Sequence, residues 1–153
     1  GVKVQLIVRG ICCLIPGVAG MSENIEAISI VDKYLEHPRV YIFENGGNPR
    51  IYISSADWMV RNLDHRVEAT CPVFHEDIKK TLKDILNIQL MDNVKARSLN
   101  NELSNEYVKG NKATSVRSQI SIYNYLLSGG RTDTPGVKPL QHYSTEVSPV
   151  LSD

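Results

Sequence analysis

The sequence predicts an α/β domain, which some schemes class as α+β, because strand-like and helix-like segments occur in one chain of moderate length. Residues 2–8 alternate apolar and polar side chains, which is the period of a half-buried strand. Residues 44–49 place two glycines and a proline between two β-branched and aromatic segments, which favours a hairpin. Residues 75–90 repeat apolar side chains at helical spacing. The three patterns together indicate a domain that combines both kinds of element.

Five segments carry strand signals, and each is bounded by a turn or a loop. The first ends at Arg9 and is followed by a loop, residues 16–24, that is rich in glycine and polar side chains. β-branched residues mark the second segment, and the turn at 44–49 separates the third from the fourth. The predicted strands are residues 2–8, 25–31, 39–43, 50–54 and 66–73.

Two apolar stripes predict the longer helices. The stripe within 75–90 consists of Ile78, Leu82, Ile85, Leu86 and Leu90. A second stripe predicts a helix at about 115–127 whose packing face is formed by Val116, Ile120, Tyr123 and Leu127. A short helix is expected at 58–63 and about one helical turn at 32–36.

The composition changes after two glycines at positions 129 and 130. Threonine, proline, serine and glycine become frequent there, and such a segment does not supply a core of its own. We therefore predict one domain at residues 1–128 and a C-terminal tail at residues 129–153. The chain also opens directly into a strand without an initiator methionine, so we interpret it as a fragment of a longer protein.

Bulk composition limits the partners that we expect. Seventeen basic residues balance seventeen acidic ones, and this neutral total argues against broad nucleic-acid binding. None of the three cysteines lies in a CxxC or Cys/His metal spacing, so we predict no metal site in this chain and a reducing, cytoplasmic compartment. No apolar run reaches the length of a transmembrane helix, so we expect no transmembrane segment in this sequence.

The candidate site is centred on residues 37–44. His37 and Arg39 lie on the same face of an extended chain, where the imidazole can exchange a proton and the planar guanidinium can hold phosphate oxygens. Glu44 follows the strand and could orient a neighbouring donor. The residues alone leave Arg39 open between a phosphate contact and a structural pair with Glu44, and we favour the pair. Asp57 is expected to cap the helix that follows it.

This spacing resembles the phospholipase D superfamily pattern, His-x-Lys followed by four residues and Asp, with Arg39 in the lysine position and Glu44 in the aspartate position. Residues 54–57 (SSAD) lie where that superfamily has Gly-Ser-x-Asn. The wider text resembles bacterial polyphosphate kinase over roughly residues 2–127. The segments that carry this resemblance are LIVRGICCL (6–14), SENI (22–25), LEH (35–37), NGG (45–47), YISSADWM (52–59), RNLD (61–64), RVE (66–68) and DNVKAR (92–97).

The resemblance implies a phospholipase D-like domain, a mixed β-sheet flanked by helices, as the second of two such domains in the enzyme. It implies reversible transfer of the γ-phosphate of ATP to inorganic polyphosphate, with release of ADP. The implied partners are ATP, ADP, polyphosphate, the remaining domains of the same enzyme and further copies in a homo-oligomer. Mg²⁺ is expected to be held mainly by the missing domains. The implied location is the cytoplasm, with a peripheral position at the inner membrane as a variant.

The resemblance also implies roles for individual residues. His37 corresponds to an essential catalytic histidine beside the phosphates, and Arg9 corresponds to an arginine that contacts the nucleotide phosphates. Arg66 and Glu68 occupy positions near the nucleotide and the polyphosphate channel. The histidine that becomes phosphorylated belongs to the missing first domain, so the fragment alone is expected to be inactive.

Two other functions stay open at the level of sequence. One is a phosphodiesterase or phosphatidyltransferase of the phospholipase D superfamily, which would need a paired His-x-Lys motif elsewhere. The other is a non-catalytic assembly domain whose helices and tail mediate oligomer contacts.

Overall fold

The computed structural model describes residues 1–110 and 114–130, and the greater part of the predicted tail, residues 131–153, lies outside the described residues. Within these described residues, six strands, three helices and one 3-10 turn (Asn45–Gly47) follow one another. The strands are β1 (Val4–Ile7), β2 (Ile25–Ile30), β3 (Val40–Phe43), β4 (Arg50–Ser54), β5 (Thr70–Val73) and β6 (Ala96–Leu99). The helices are α1 (Val60–Leu63), α2 (Glu76–Leu90) and α3 (Ser118–Leu127). The predicted α/β class is confirmed.

The strands form two three-stranded sheets, where the sequence indicated one mixed sheet. The first has the order β1-β2-β6, with β1 parallel to β2 and β6 antiparallel to β2. The second is an antiparallel meander, β3-β4-β5, in which Val40 pairs with Ile53 and Ile51 with Val73. The predicted hairpin between residues 39–43 and 50–54 is therefore confirmed.

Residues 31–39 connect β2 to β3 as a linker that is hydrogen-bonded to the first residues of α3. The prediction of a helical turn at 32–36 is wrong. The Gln119 side chain satisfies the backbone of Tyr34: Tyr34 N–H donates to Gln119 Oε1 (3.0 Å), and Gln119 Nε2 donates to the Tyr34 carbonyl (2.8 Å). Asp32 accepts two hydrogen bonds from the Arg117 guanidinium at 2.6 and 2.8 Å. Because side chains near the start of α3 supply these bonds, the linker needs no helical bonds of its own.

Strand β6 was missed from the sequence, and β5 begins later than expected. The β6 sequence, ARSL, offers neither alternation nor a β-branched run, so no local signal marks it. It forms because its backbone pairs with β2, with Ala27 opposite Leu99. The fifth strand was expected from residue 66 but begins at Thr70, since Glu68 is bonded to Ser55 and Asn62 before the ladder starts.

Helices α2 and α3 pack against each other around a small core. Ile88, Val116 and Tyr125 are buried there, and Ile85 and Ile122 pack at its edge. The Tyr125 hydroxyl donates to Asp84 Oδ2 at 2.7 Å, which satisfies a polar group that burial would otherwise leave unpaired.

The apolar stripe predicted for α3 does not form its packing face. Val116 is buried, but Ile120, Tyr123 and Leu127 are 44%, 62% and 70% exposed. The inward side of the helix instead carries polar Ser118 and Gln119 together with Tyr125. The reason is that the start of α3 is fixed by hydrogen bonds to Asp92 and to the linker, and those bonds set the rotation of the helix.

The carboxylate of Asp92 joins three elements and is fully buried. Its Oδ1 accepts the backbone N–H groups of Val94, Lys95 and Ala96 at 2.9, 2.7 and 3.1 Å, and its Oδ2 accepts the Ser118 N–H at 2.7 Å. Burial raises the pKa of this carboxyl, but the hydrogen bonds from the backbone of Lys95 and Ser118 outweigh burial, so the pKa lies below its ordinary value. Asp92 therefore links the end of α2 to β6 and α3.

Within the described residues, no helix combines the length and the apolar character that crossing a bilayer requires.

We expect Asp92→Asn to destabilise the chain by about 2–3 kcal/mol, because a neutral amide cannot replace a buried carboxylate that accepts four charge-assisted hydrogen bonds from backbone N–H groups. Urea unfolding would measure this loss, with Asp64→Asn at an exposed position as the matched control, for which a change below about 0.5 kcal/mol is expected. The folded-state pKa is depressed, so this stability is complete above about pH 4 and is lost as the pH falls further. Equal stability of both variants and the parent at neutral pH would contradict the assignment.

Candidate functional site

Antiparallel pairing of β3 with β4 brings His37, Arg39 and Asp57 together. Arg39 immediately precedes β3, and its carbonyl accepts the backbone N–H of Ser54 at 2.9 Å. The chain that leaves β4 therefore passes directly beside Arg39, and three residues later it presents Asp57. The fold thus joins two segments that are 18 to 20 residues apart in sequence.

The three side chains are in mutual contact. Asp57 Oδ1 lies 2.9 Å from His37 Nε2 and 2.9 Å from Arg39 Nε. Arg39 Nη2 lies 2.9 Å from His37 Nε2 and 3.4 Å from His37 Nδ1. The His37 side chain is 45% exposed, whereas those of Arg39 and Asp57 are 25% and 23% exposed. The His37 side chain is therefore the most exposed of the three, and it packs against the other two.

The ion pair with Arg39 lowers the pKa of Asp57. The hydrogen bond from Arg39, followed by that from His37, lowers the pKa of Asp57 to about 2. The same hydrogen bond raises the pKa of Arg39 above its ordinary value. Asp57 is thus a carboxylate at every physiological pH, and the site keeps a fixed negative charge beneath the histidine.

Two predictions about this cluster are wrong. Arg39 pairs with Asp57, and the four residues of β3 separate it from Glu44 by five residue steps, about 16 Å in an extended chain. Asp57 does not cap the following helix, because the N-cap of α1 is Met59 and its cap carries no side-chain hydrogen bond. The signal that could have located Asp57 was its place at the fourth position of SSAD, which corresponds to the asparagine of Gly-Ser-x-Asn.

Glu68 lies beside this cluster with both carboxylate oxygens engaged. The Ser55 hydroxyl donates to Oε2, and Asn62 Nδ2 donates to Oε1 at 2.7 Å. The bond from Ser55, and then that from Asn62, lowers the pKa of Glu68. Since Asn62 is buried in α1 and Ser55 directly follows β4, Glu68 joins that helix to the end of β4. Its predicted contact with a nucleotide or polyphosphate stays a prediction.

Arg66 is exposed, and its charge acts on Glu68 through space. Within residues 1–110 and 114–130 its side chain makes no ion pair or hydrogen bond, so its guanidinium is open to solvent.

Arg9 lies at a separate cleft, beyond the carboxyl ends of β1 and β2. The cleft has a volume of about 320 Å³ and is lined by Arg9, Ile30, Val31, Asp32, Tyr34 and Leu35. Asp32 is already paired with Arg117, an interaction whose hydrogen bond lowers the pKa of Asp32. In the part of the chain that the structure describes, no carboxylate neutralises Arg9. The guanidinium is therefore available to an anion at the edge where open α/β sheets bind ligands.

The structure does not join Arg9 to His37 by any direct contact among the described residues. The two are connected by the linker, since Tyr34 and Leu35 line the Arg9 cleft and His37 follows them by two residues. A shared phosphate site between them stays a prediction. Nor does any group of three or more His, Cys, Asp or Glu side chains converge to hold a metal ion within the described ranges.

Removal of the Arg39 charge should return Asp57 toward ordinary acidity. We expect the Asp57 carboxyl to titrate at about 2 in the parent chain and nearer to about 3.9 in Arg39→Gln. Carbon-13 NMR of the aspartate side chains would follow both, and Asp32, which depends on Arg117, serves as the internal control that should stay unchanged. An Asp57 midpoint that is the same in both proteins would contradict the ion pair.

Comparison with known proteins places the chain in a family. The family model for polyphosphate kinase C-terminal domain 2 matches residues 1–119. The polyphosphate kinase of Vibrio cholerae is 56% identical over 126 residues, which are 82% of this chain and 18% of that protein. The Escherichia coli polyphosphate kinase is 54% identical over 128 residues, 84% of this chain and 19% of that protein.

A solved structure agrees with these relatives. The crystal structure of polyphosphate kinase from Porphyromonas gingivalis superposes with a TM-score of 0.80 at 46% identity, and the match covers 84% of this chain and 20% of that one. This match agrees with the predicted phospholipase D-like fold. The chain spans about a fifth of the length of the relatives that it matches. By sequence and by fold, the chain belongs to the polyphosphate kinase family, and it corresponds to the C-terminal domain 2 of those enzymes.

Proposed function

We propose that this chain forms part of an ATP:polyphosphate phosphotransferase, in which it supplies one wall of the site that holds the transferred phosphate. The observation that carries the proposal is the pair of exposed cationic or proton-carrying groups, Arg9 and His37, in a chain of this family. Phosphoryl transfer depends mainly on positioning and on stabilising the charge of the transferred group, and these side chains suit that task.

Arg9 supplies fixed positive charge. Its guanidinium presents a planar fork to phosphate oxygens and has no carboxylate partner among the described residues. In the proposed reaction it binds non-bridging oxygens of the nucleotide phosphates. Since the same charge is present before and after transfer, its contribution is binding and orientation.

His37 acts where charge develops. As the γ-phosphorus–oxygen bond to ADP breaks, negative charge accumulates on the departing β-phosphate oxygen, and on that side His37 serves either as the proton donor or as a charged hydrogen-bond donor. The phosphoryl group passes to a histidine of another domain and then to the terminal oxygen of polyphosphate. The nucleotide, the polyphosphate, the other domains and Mg²⁺ bound mainly by those domains are parts of this proposal.

The remaining predicted residues fit this scheme in different ways. Arg66 is an exposed cation that could face a polyanion, whereas Glu68 has its two oxygens occupied by Ser55 and Asn62. We therefore assign Glu68 to the support of α1 near the site. Three free thiols, Cys12, Cys13 and Cys71, favour the cytoplasm as the proposed compartment.

A phosphodiesterase of the phospholipase D superfamily is the second candidate, and one observation favours it. The counterparts of that superfamily's motif, His37, Arg39 and Asp57, are brought into direct contact by the fold. Against it, Arg39 replaces the lysine of the motif and is held by Asp57.

We expect His37→Ala in a full-length enzyme that contains this chain to reduce ATP-dependent polyphosphate synthesis by about 10²- to 10⁴-fold, since it removes a group that acts at the leaving oxygen. Arg9→Ala should reduce it by about 10²-fold, because a preorganised charge is lost. His75→Ala, which alters an exposed histidine at the start of α2, is the matched control and should retain activity. Full activity of both site variants would reject the proposal.

The chain of 153 residues alone should make no polyphosphate from ATP, because the histidine that accepts the phosphoryl group belongs to another domain in this proposal. Robust synthesis by the isolated chain would contradict that division. Hydrolysis of bis-p-nitrophenyl phosphate that is abolished by His37→Ala would instead support the phosphodiesterase.

A further inference from the structure

The cleft beside Arg9 is lined by one positive and one negative side chain. Arg9 and Asp32 are the charged residues among the described residues that line it, and the others are apolar or aromatic. Taken alone, the two charges cancel, and a cleft without net charge does not attract an anion. The Asp32 side chain is only 3% exposed, so water screens its charge poorly. Anion binding beside Arg9 therefore requires another group that offsets the charge of Asp32.

Arg117 is that group, although it lies 85 positions further along the chain. Its Nε and Nη2 donate to Asp32 Oδ2 and Oδ1 at 2.8 and 2.6 Å. These two bonds engage both carboxylate oxygens, in the bidentate geometry that a planar guanidinium provides and an ammonium group does not. The charge of Lys95 also acts on Asp32 through space, but Arg117 is the cation in direct contact.

The backbone of Arg117 is held in place independently of Asp32. Arg117 is the N-cap of α3, and the N–H of the next residue, Ser118, donates to the buried Asp92 carboxylate at 2.7 Å. The guanidinium thus reaches the linker from a position that α3 fixes. Arg117 is not among the described residues that line the cleft. It can therefore neutralise Asp32 without occupying the space that an anion would use.

We propose that Arg117 is a positioning residue for phosphate binding: it engages the Asp32 carboxylate, so that the positive charge of Arg9 is kept for a phosphate group of the nucleotide. The inference rests on the proposed function for the identity of that anion. Without Arg117, the Asp32 carboxylate repels a phosphate in the cleft or pairs with Arg9 in its place. Both events weaken phosphate binding, and both disappear when the carboxylate is removed as well.

The first test measures anion binding without using activity. The chain of 153 residues is titrated with inorganic tripolyphosphate at constant ionic strength, and NMR follows the Nε–H signal of Arg9, identified by its loss in Arg9→Lys. Arg117→Gln should raise the Kd for tripolyphosphate about tenfold, because it leaves an unpaired carboxylate in the cleft. Arg50→Gln removes the same charge from β4 in the other sheet, and this matched control should change the Kd by less than about twofold.

A second substitution separates the effect of charge from that of structure. Asp32→Asn, added to Arg117→Gln, removes the freed carboxylate and should return the Kd to within about threefold of the parent value. If Arg117 only holds the linker, the double variant should bind as weakly as Arg117→Gln. That result, an unchanged Kd in Arg117→Gln, or no movement of the Arg9 signal in the parent chain would overturn the proposal. If Arg117→Gln does not fold, the double variant decides by the same threefold limit.

The second test measures kinetics in the full-length enzyme. Arg117→Gln should raise KM for ATP about tenfold and change kcat by less than about threefold, because the lost charge contributes equally before and during transfer. Adding Asp32→Asn should reverse most of the rise in KM. An effect confined to kcat, or a rise in KM that the second substitution does not reverse, would overturn the role of Arg117. If the parent enzyme makes no polyphosphate, the proposed function fails, and the tripolyphosphate titration still decides whether Arg117 keeps Arg9 available to an anion.

Discussion

The contact between Asp57 and the His37–Arg39 pair is the interaction on which the candidate site depends. It exists because β3 and β4 pair in one register, which places the residue before β3 beside the residues that follow β4. A shift of one residue would turn the side chains of β4 to the opposite face and carry the following segment away from Arg39. The chemistry of the site is thus a consequence of strand pairing, and the buried Ile51 on β4 helps to fix that pairing.

Carboxylates organise this domain more than its small core does. The core around Ile88 and Tyr125 joins only α2 and α3, whereas Asp92 links the end of α2 to β6 and α3. Glu68 connects α1 to Ser55, which directly follows β4, in the same manner. A carboxylate that accepts several donors specifies direction as well as distance, which apolar contact does not. This explains how a domain with two small sheets can place functional side chains.

The sequence predicted the local elements well where the hydrophobic periodicity was strong. The strands at β1 to β4 and the helix α2 follow alternation or a heptad-like stripe, and the structure has them within a few residues of the expected bounds. Strand β6 could not be found this way, because its sequence shows neither alternation nor a β-branched run and it pairs with a strand about 70 residues earlier. The linker at 32–36 and the rotation of α3 depend on side-chain bonds between distant residues, such as Gln119 to Tyr34, and no local pattern records these. For the candidate site, the sequence motif singled out His37 and Arg39. The partner of Arg39, Asp57, could be identified only from the structure.

The two hydrogen-bonded anchors on the linker have a mechanical consequence. Arg9 follows a strand of one sheet and His37 precedes a strand of the other, and the shortest covalent route between those sheets is the stretch that Gln119 and Arg117 hold. The spacing of Arg9 and His37 therefore depends on the placement of α3, whose first turn and N-cap hold this linker. Any load applied to the exposed apolar side of that helix would be transmitted through the linker to the spacing between Arg9 and His37.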